Sequence, residues 1–214
     1  MVTFKKTSVL TPAGRDIGSH VGRDVERLVF DAYRRAEAMG LVAPDADAHG
    51  DLKAARHVAS HVRKAGIATA AAAALTNVEV PTPAELTALL HTMIAALEAS
   101  PAPRFEWAGI ARVLDDEGLA SLLGVSLSSL KRYQSGDRVT PDPIAARLHF
   151  LALVVSDLAG TYNTFGVRRW FSRKRALLDG RAPAQLLAGE WDPDDPGPAR
   201  VRQLARELVS LSAT

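Results

Sequence analysis

The chain has no cysteine among its 214 residues, which removes disulfides, thiolate zinc sites, iron–sulfur clusters and cysteine nucleophiles at once. It has no uninterrupted apolar run of about 18 residues, so no membrane-spanning helix is expected. The amino-terminal Met-Val-Thr-Phe-Lys-Lys lacks the apolar stretch of a signal peptide. The expectation from these absences is a soluble, cytoplasmic protein. No alternating run of β-branched residues competes with the helical patterns, and no internal repeat is visible. There is no Gly-x-Ser-x-Gly elbow, no P-loop and no dinucleotide fingerprint. The chain is therefore expected not to be an enzyme and to need no cofactor.

What is present is 47% hydrophobic content, enough for a sizeable core in one or two domains. The charge matters by position rather than by sum. The formal net charge is only +2, yet from Ser126 to Arg181 ten Lys and Arg stand against four Asp. Residues 1–100 hold eleven charges of each sign, and residues 182–214 hold three basic against five acidic. A local positive segment in a balanced chain is the electrostatic footprint of contact with nucleic acid.

Residues 1–18 are polar and broken by Pro12, Gly14 and Gly18, and read as a flexible arm. From Ser19 to Met39 the apolar positions Val21, Val25, Leu28, Val29, Ala32, Tyr33 and Ala36 trace one stripe of a helix that Gly40 ends. A second helix is expected over 51–64 and a thin, Ala-rich third over 67–75. Thr82-Pro83-Ala84-Glu85 joins a capping box to a proline at the first helical position. It opens a fourth helix with Leu86, Leu89, Leu90, Met93, Ile94 and Leu97 on its buried face. Ser100-Pro101-Ala102-Pro103 cannot continue that helix and marks the expected border of an amino-terminal helical domain over 19–100, of unassigned role. Beyond it the pattern predicts a helix from about Phe105 through Leu114, a pair of short helices, a loop at 136–143 and a long helix from Ile144 to about Ala159. A final helix is expected from Pro198 or Ala199 to about Leu211. The expected fold is all-α.

The pair of short helices carries the sharpest signal. Asp116 to Tyr133 has the spacing of a helix-turn-helix: Ala120 is small where two helices cross, and Gly124 supplies the positive φ that ends the first helix. Leu119, Leu123, Val125, Leu130 and Tyr133 form the shared core, Ser126 caps the second helix, and Gly136 stops it. Such a unit places its second helix in the major groove of DNA. Its exposed face would carry Ser128, Ser129, Lys131, Arg132 and Gln134. Lys131 and Arg132 are candidates for phosphate or guanine contacts, Ser126, Ser128, Ser129 and Gln134 for base-edge or phosphate hydrogen bonds, and Arg138 for a backbone contact. The general geometry of such units implies a homodimer or larger assembly on a palindromic operator in double-stranded DNA.

Downstream, Phe165-Gly166-Val167-Arg168-Arg169-Trp170-Phe171 is followed by Leu178-Asp179-Gly180-Arg181-Ala182-Pro183-Ala184-Gln185-Leu186-Leu187-Ala188-Gly189. A helix-turn-helix, a long helix, a tryptophan segment and then Leu-x-Gly-Arg-x-Pro-x-x-Leu-Leu-x-Gly, in that order, resembles the Xre/MbcA/ParS family of bacterial type II antitoxins over about residues 105–211. The resemblance implies a helix-turn-helix domain over 105–160, which represses the operon, and a carboxy-terminal helical region over 161–214, which binds and blocks a RES-domain toxin that destroys NAD. By position it assigns toxin contact to Arg168, Arg169, Trp170, Gly180, Arg181, Pro183, Leu186 and Leu187, and, on the last helix, to Arg200, Arg202, Arg206 and Glu207. Two features depart from the family: the long amino-terminal addition, and the acidic, proline-rich stretch Trp191 to Pro198. They leave a second reading, a stand-alone regulator whose amino-terminal domain dimerises or binds another partner.

Other groups have plainer readings. The basic run Arg168 to Arg175 can meet DNA phosphates or the toxin, while Trp170, or Phe171, either stacks on a base or anchors a solvated helix to the core. His57 and His61 share a helical face but lack a third ligand, so no metal is expected. Asp115-Asp116-Glu117 stand where acids favour a helix amino terminus, and Asp192 to Asp195 read as a solvated linker.

Overall fold

Runs of helix formers separated by proline and glycine give eleven α-helices, and no strand among the described residues, in the computed structural model, which describes residues 17–45 and 49–212. The expected all-α fold is what is found. Most of the arm expected over residues 1–18 lies outside the described residues. Ile17 and Gly18 already belong to α1, Ile17–Ala38.

α2 (Leu52–Lys64) starts at Asp51, whose side chain accepts from the Ala54 amide. α3 (Thr69–Asn77) begins two residues later than the Ala-rich pattern suggests, because Ala68 takes a left-handed turn at φ 45°. α4 (Pro83–Ala99) opens on the capping box as expected: Thr82 accepts from the Glu85 amide, and Glu85 accepts from the Thr82 amide at 2.8 Å. α5 (Pro103–Ala111), α6 (Asp116–Leu123), α7 (Leu127–Gln134) and α8 (Asp142–Ala159) follow. α9 (Thr164–Ser172), a 3-10 turn at Ala176–Leu178, α10 (Pro183–Leu186) and α11 (Pro196–Ser212) complete the chain.

α8 is the axis. Every residue from Leu148 to Leu158 is buried, as expected of a helix that is apolar nearly all round. α1, α5 and α11 pack against it, and α9 crosses its end. α4 lies along α1, and the α2–α3 pair covers α1 and α4. The prolines at 101 and 103 thus turn the chain from α4 into α5 without dividing two cores: the buried side chains of both halves form one continuous cluster. Among the described residues no single helix is long and apolar enough to cross a membrane.

Two glycines let α1 and α5 approach closely. A Cβ on Gly109 would fall 2.2 Å from the Ala38 carbonyl oxygen, and one on Gly40 would fall 2.3 Å from that of Phe105.

Candidate nucleic-acid interface

α6 and α7 are each eight residues long, too short to persist alone in water, so their geometry depends on caps and core contacts. Asp115 accepts from the Gly118 amide at 2.7 Å and opens α6. Gly124 closes it at φ 69°, and a Cβ there would also meet the Gly189 carbonyl at 2.5 Å, so two constraints require glycine. Ser126 opens α7: its Oγ accepts from the Ser129 amide at 3.2 Å and donates to Ser129 Oγ at 3.0 Å.

The pair is clamped from three sides. Leu130 and Tyr133 of α7 are buried, and the Tyr133 ring stacks on Trp107 of α5 with centroids 6.1 Å apart. Trp107 Nε1 donates to Thr140 Oγ1 at 3.0 Å, which fixes the loop after α7. The last carbonyls of α6, left without partners inside the helix, are taken from outside it. Trp191 Nε1 donates to the Leu122 carbonyl at 2.9 Å and Arg147 Nη1 to that of Leu123 at 3.1 Å, while Arg147 Nε also donates to the Trp191 carbonyl. Trp191 is buried and meets Phe150 edge to face at 5.2 Å. It is a clamp that the sequence reading missed, having read its neighbours as a linker. The linker itself is an ordered turn, in which the Asp192 amide donates to Asp195 Oδ2 at 2.8 Å.

What remains outside is a compact polar face. Ser128, Lys131, Arg132 and Arg138 are exposed, and the three cations have no carboxylate partner within 4.0 Å among the described residues. Arg138 lies over the Tyr133 ring at 5.5 Å. Leu127, at the first position of α7, is also exposed, at 41%. It is an outward apolar side chain that sequence reasoning passed over. Gln134 is a correction: its Nε2 donates to Asp116 Oδ1 at 3.2 Å, so it ties α7 to α6. Ser126 and Ser129 hold the cap, which leaves Ser128 as the open hydroxyl of the set.

The carboxy-terminal candidates divide sharply. Arg168, Arg169, Gly180 and Arg181 are exposed and Leu186 is half-buried. Trp170, Pro183 and Leu187, expected at a partner surface, are buried instead. Trp170 is a core anchor, edge to face with Phe171 at 5.3 Å.

The last helix brings a second correction. Arg200 donates to Asp179 Oδ2 and to the Leu177 carbonyl, both at 2.8 Å, and holds the Asp179 carboxyl below its usual range. Arg202 and Arg206 both reach Glu98 Oε1, at 3.1 and 3.0 Å, and that atom also accepts from Arg35 Nη2 at 2.9 Å. Asp157, 5% exposed, lies 3.5 Å from Arg35 and 3.7–3.8 Å from the two helix arginines. Burial outweighs these long contacts and pushes the Asp157 carboxyl up to about 6, while the arginines hold Glu98 below its usual value. Beside this cluster His149 Nδ1 sits 2.6 Å from Glu106 Oε1, and His149 Nε2 donates to the Glu98 carbonyl at 3.0 Å. Arg202 and Arg206 thus fasten α11 to α4 and α8. Gln203 Nε2 donates to Glu207 Oε1 at 3.0 Å on the outer side of α11.

His57 and His61 lie with ring centroids 4.5 Å apart, and no cluster of three metal-ligating side chains occurs among the described residues. Comparison with family models, with curated proteins and with solved structures finds no match for this chain.

Proposed function

We propose that the chain is a sequence-specific DNA-binding regulator, with α6 and α7 acting as a helix-turn-helix and α7 entering the major groove. The observation that carries this reading is the outer face of α7, where Lys131 and Arg132 point into solvent without carboxylate partners, on a helix held by Trp107 and paired with α6, which Trp191 and Arg147 clamp in turn. A rigid helix with unspent cations is what groove reading requires. Lys131 and Arg132 make phosphate or guanine contacts, Ser128 hydrogen-bonds a base edge or phosphate, Arg138 meets the backbone, and Leu127 packs on a thymine methyl. The unit acts as a dimer on a palindromic operator. Lys131→Ala with Arg132→Ala lowers affinity for the operator roughly 100-fold in an anisotropy titration at fixed salt. Unchanged affinity would overturn the reading.

The resemblance to the Xre/MbcA/ParS antitoxins extends the proposal to a regulator that also neutralises an NAD-degrading RES-domain toxin. The side chains available for that contact are the exposed Arg168, Arg169 and Arg181. Co-expression with the product of the adjacent gene yields a complex and relieves growth arrest, and replacing the three arginines by Ala abolishes both. Rescue that survives the triple replacement removes this surface from the proposal.

A further inference from the structure

A cavity of about 350 Å³ opens between the carboxy-terminal half of α1, the end of α5, the end of α8 and the start of α9. Neither proposed activity uses it. Its size lies within the range of about 300–1,000 Å³ typical of small-molecule sites. Its apolar lining includes Val113, Val155, Ala159 and Val167, and three charged side chains, Arg34, Arg112 and Glu37, also face it.

Arg34 is the unusual member. Its Nε is buried and has no hydrogen-bond partner among the described residues, a costly state for a charged donor. The nearest carboxylate, Asp31, is 3.9 Å away and is already engaged by Arg35. Burial pulls the Arg34 pKa below its usual value. The guanidinium occupies space kept open by Gly160 at the end of α8, where a Cβ would fall 2.3 Å from Nη1. One turn along α1 from Arg34, burial raises the Glu37 carboxyl while Arg112 acts against that rise. Of the charged groups that line the cavity, two are guanidinium groups and one is a carboxylate. Asn163 and Thr164, at the amino end of the nine-residue α9, line the cavity as well and add to its positive potential.

We propose that this cavity binds a small monoanionic organic acid, its carboxylate held between Arg34 and Arg112 and its short apolar body lying against Val113, Val155 and Val167. A carboxylate brings an acceptor and a negative charge to the two guanidinium groups that line the cavity. A phosphate dianion would bring a second negative charge against Glu37, and a neutral ligand would bring none to the guanidinium pair.

The test reads binding directly, so its outcome is separable from that of the DNA-binding reading. The full-length chain, labelled with nitrogen-15, is titrated with benzoate, benzamide and inorganic phosphate into the millimolar range, following the amides of Val113, Val155 and Val167. Benzoate produces saturable shifts at these positions, benzamide and phosphate bind at least roughly tenfold more weakly, and Arg34→Gln and Arg112→Gln each weaken benzoate binding by about tenfold or more. Arg112 is exposed, so its replacement keeps the test open even where the Arg34 variant disturbs α1. Absence of a saturable benzoate shift, an equal response to benzamide or phosphate, or unchanged benzoate affinity in the Arg112 variant would each overturn the proposal.

Discussion

α7 and α11 both carry a pair of basic side chains, and the fold uses them in opposite ways. On α7, Lys131 and Arg132 face solvent, because the buried side of that helix is Leu130 and Tyr133 and its one tie to the acidic start of α6 is made by Gln134. On α11, Arg202 and Arg206 turn toward Glu98 at the end of α4 and Asp157 near the end of α8. The difference lies in the facing element. A buried acid on the neighbouring helix converts an arginine from a contact group into a fastener, and the local charge count on either helix says nothing about which will happen.

The largest effect that tests this contrast belongs to Arg35, which joins the cluster from α1 and is 6% exposed. Arg35→Ala leaves Glu98 and Asp157 short of a counter-charge and destabilises the fold by about 3–5 kcal/mol in urea titration. A loss below about 1 kcal/mol would show the cluster to be no more than a surface pair.

Asp157 gives the next effect, through pH. Its carboxyl is raised to about 6 in the fold from 3.8, so the folded state holds the proton more tightly than the unfolded chain. Its contribution to stability is complete below about pH 4 and is lost as pH rises through about 6. The stability of the wild type relative to Asp157→Asn therefore falls by on the order of 2 kcal/mol between pH 4 and pH 7. Glu98, held low, acts in the opposite sense in both proteins. A flat difference across that window would mean that Asp157 is ionised throughout.

The smallest effect is expected at α7. Lys131→Ala with Arg132→Ala changes stability by less than about 0.5 kcal/mol, although the same pair is expected to dominate DNA affinity. A large loss of stability would place those side chains in the fastening class with Arg202 and Arg206.

What could be read in the sequence was what local backbone rules decide. The Thr82–Glu85 capping box, the Gly124 helix end, the Ser126 cap and the stop at Gly136 all stand where the pattern put them. Each is fixed by neighbours within a few residues. The features that escaped depend on partners far along the chain. Glu98 meets Arg206 across 108 positions, and Trp191 reaches the Leu122 carbonyl across 69. The sequence alone left the role of Trp170 open between stacking and anchoring, and burial decides for the anchor. Gln134 was lost to Asp116 for the same reason: on a helix that short, its spacing does not tell whether the amide faces outward or back along α6.

The central place of α8 has a consequence for how the chain is made. A protein leaving the ribosome amino end first exposes α1 well before α8 has been synthesised. Until then Val29, Tyr33 and Ala36, buried in the finished fold, lack the part of their cover that α8 supplies, and Arg35 has no Asp157 in reach. The nascent chain must carry the α8-facing part of that apolar stripe uncovered while the segment from α2 to α7 is made, an interval in which chaperones, or another copy of the same helix, compete for it.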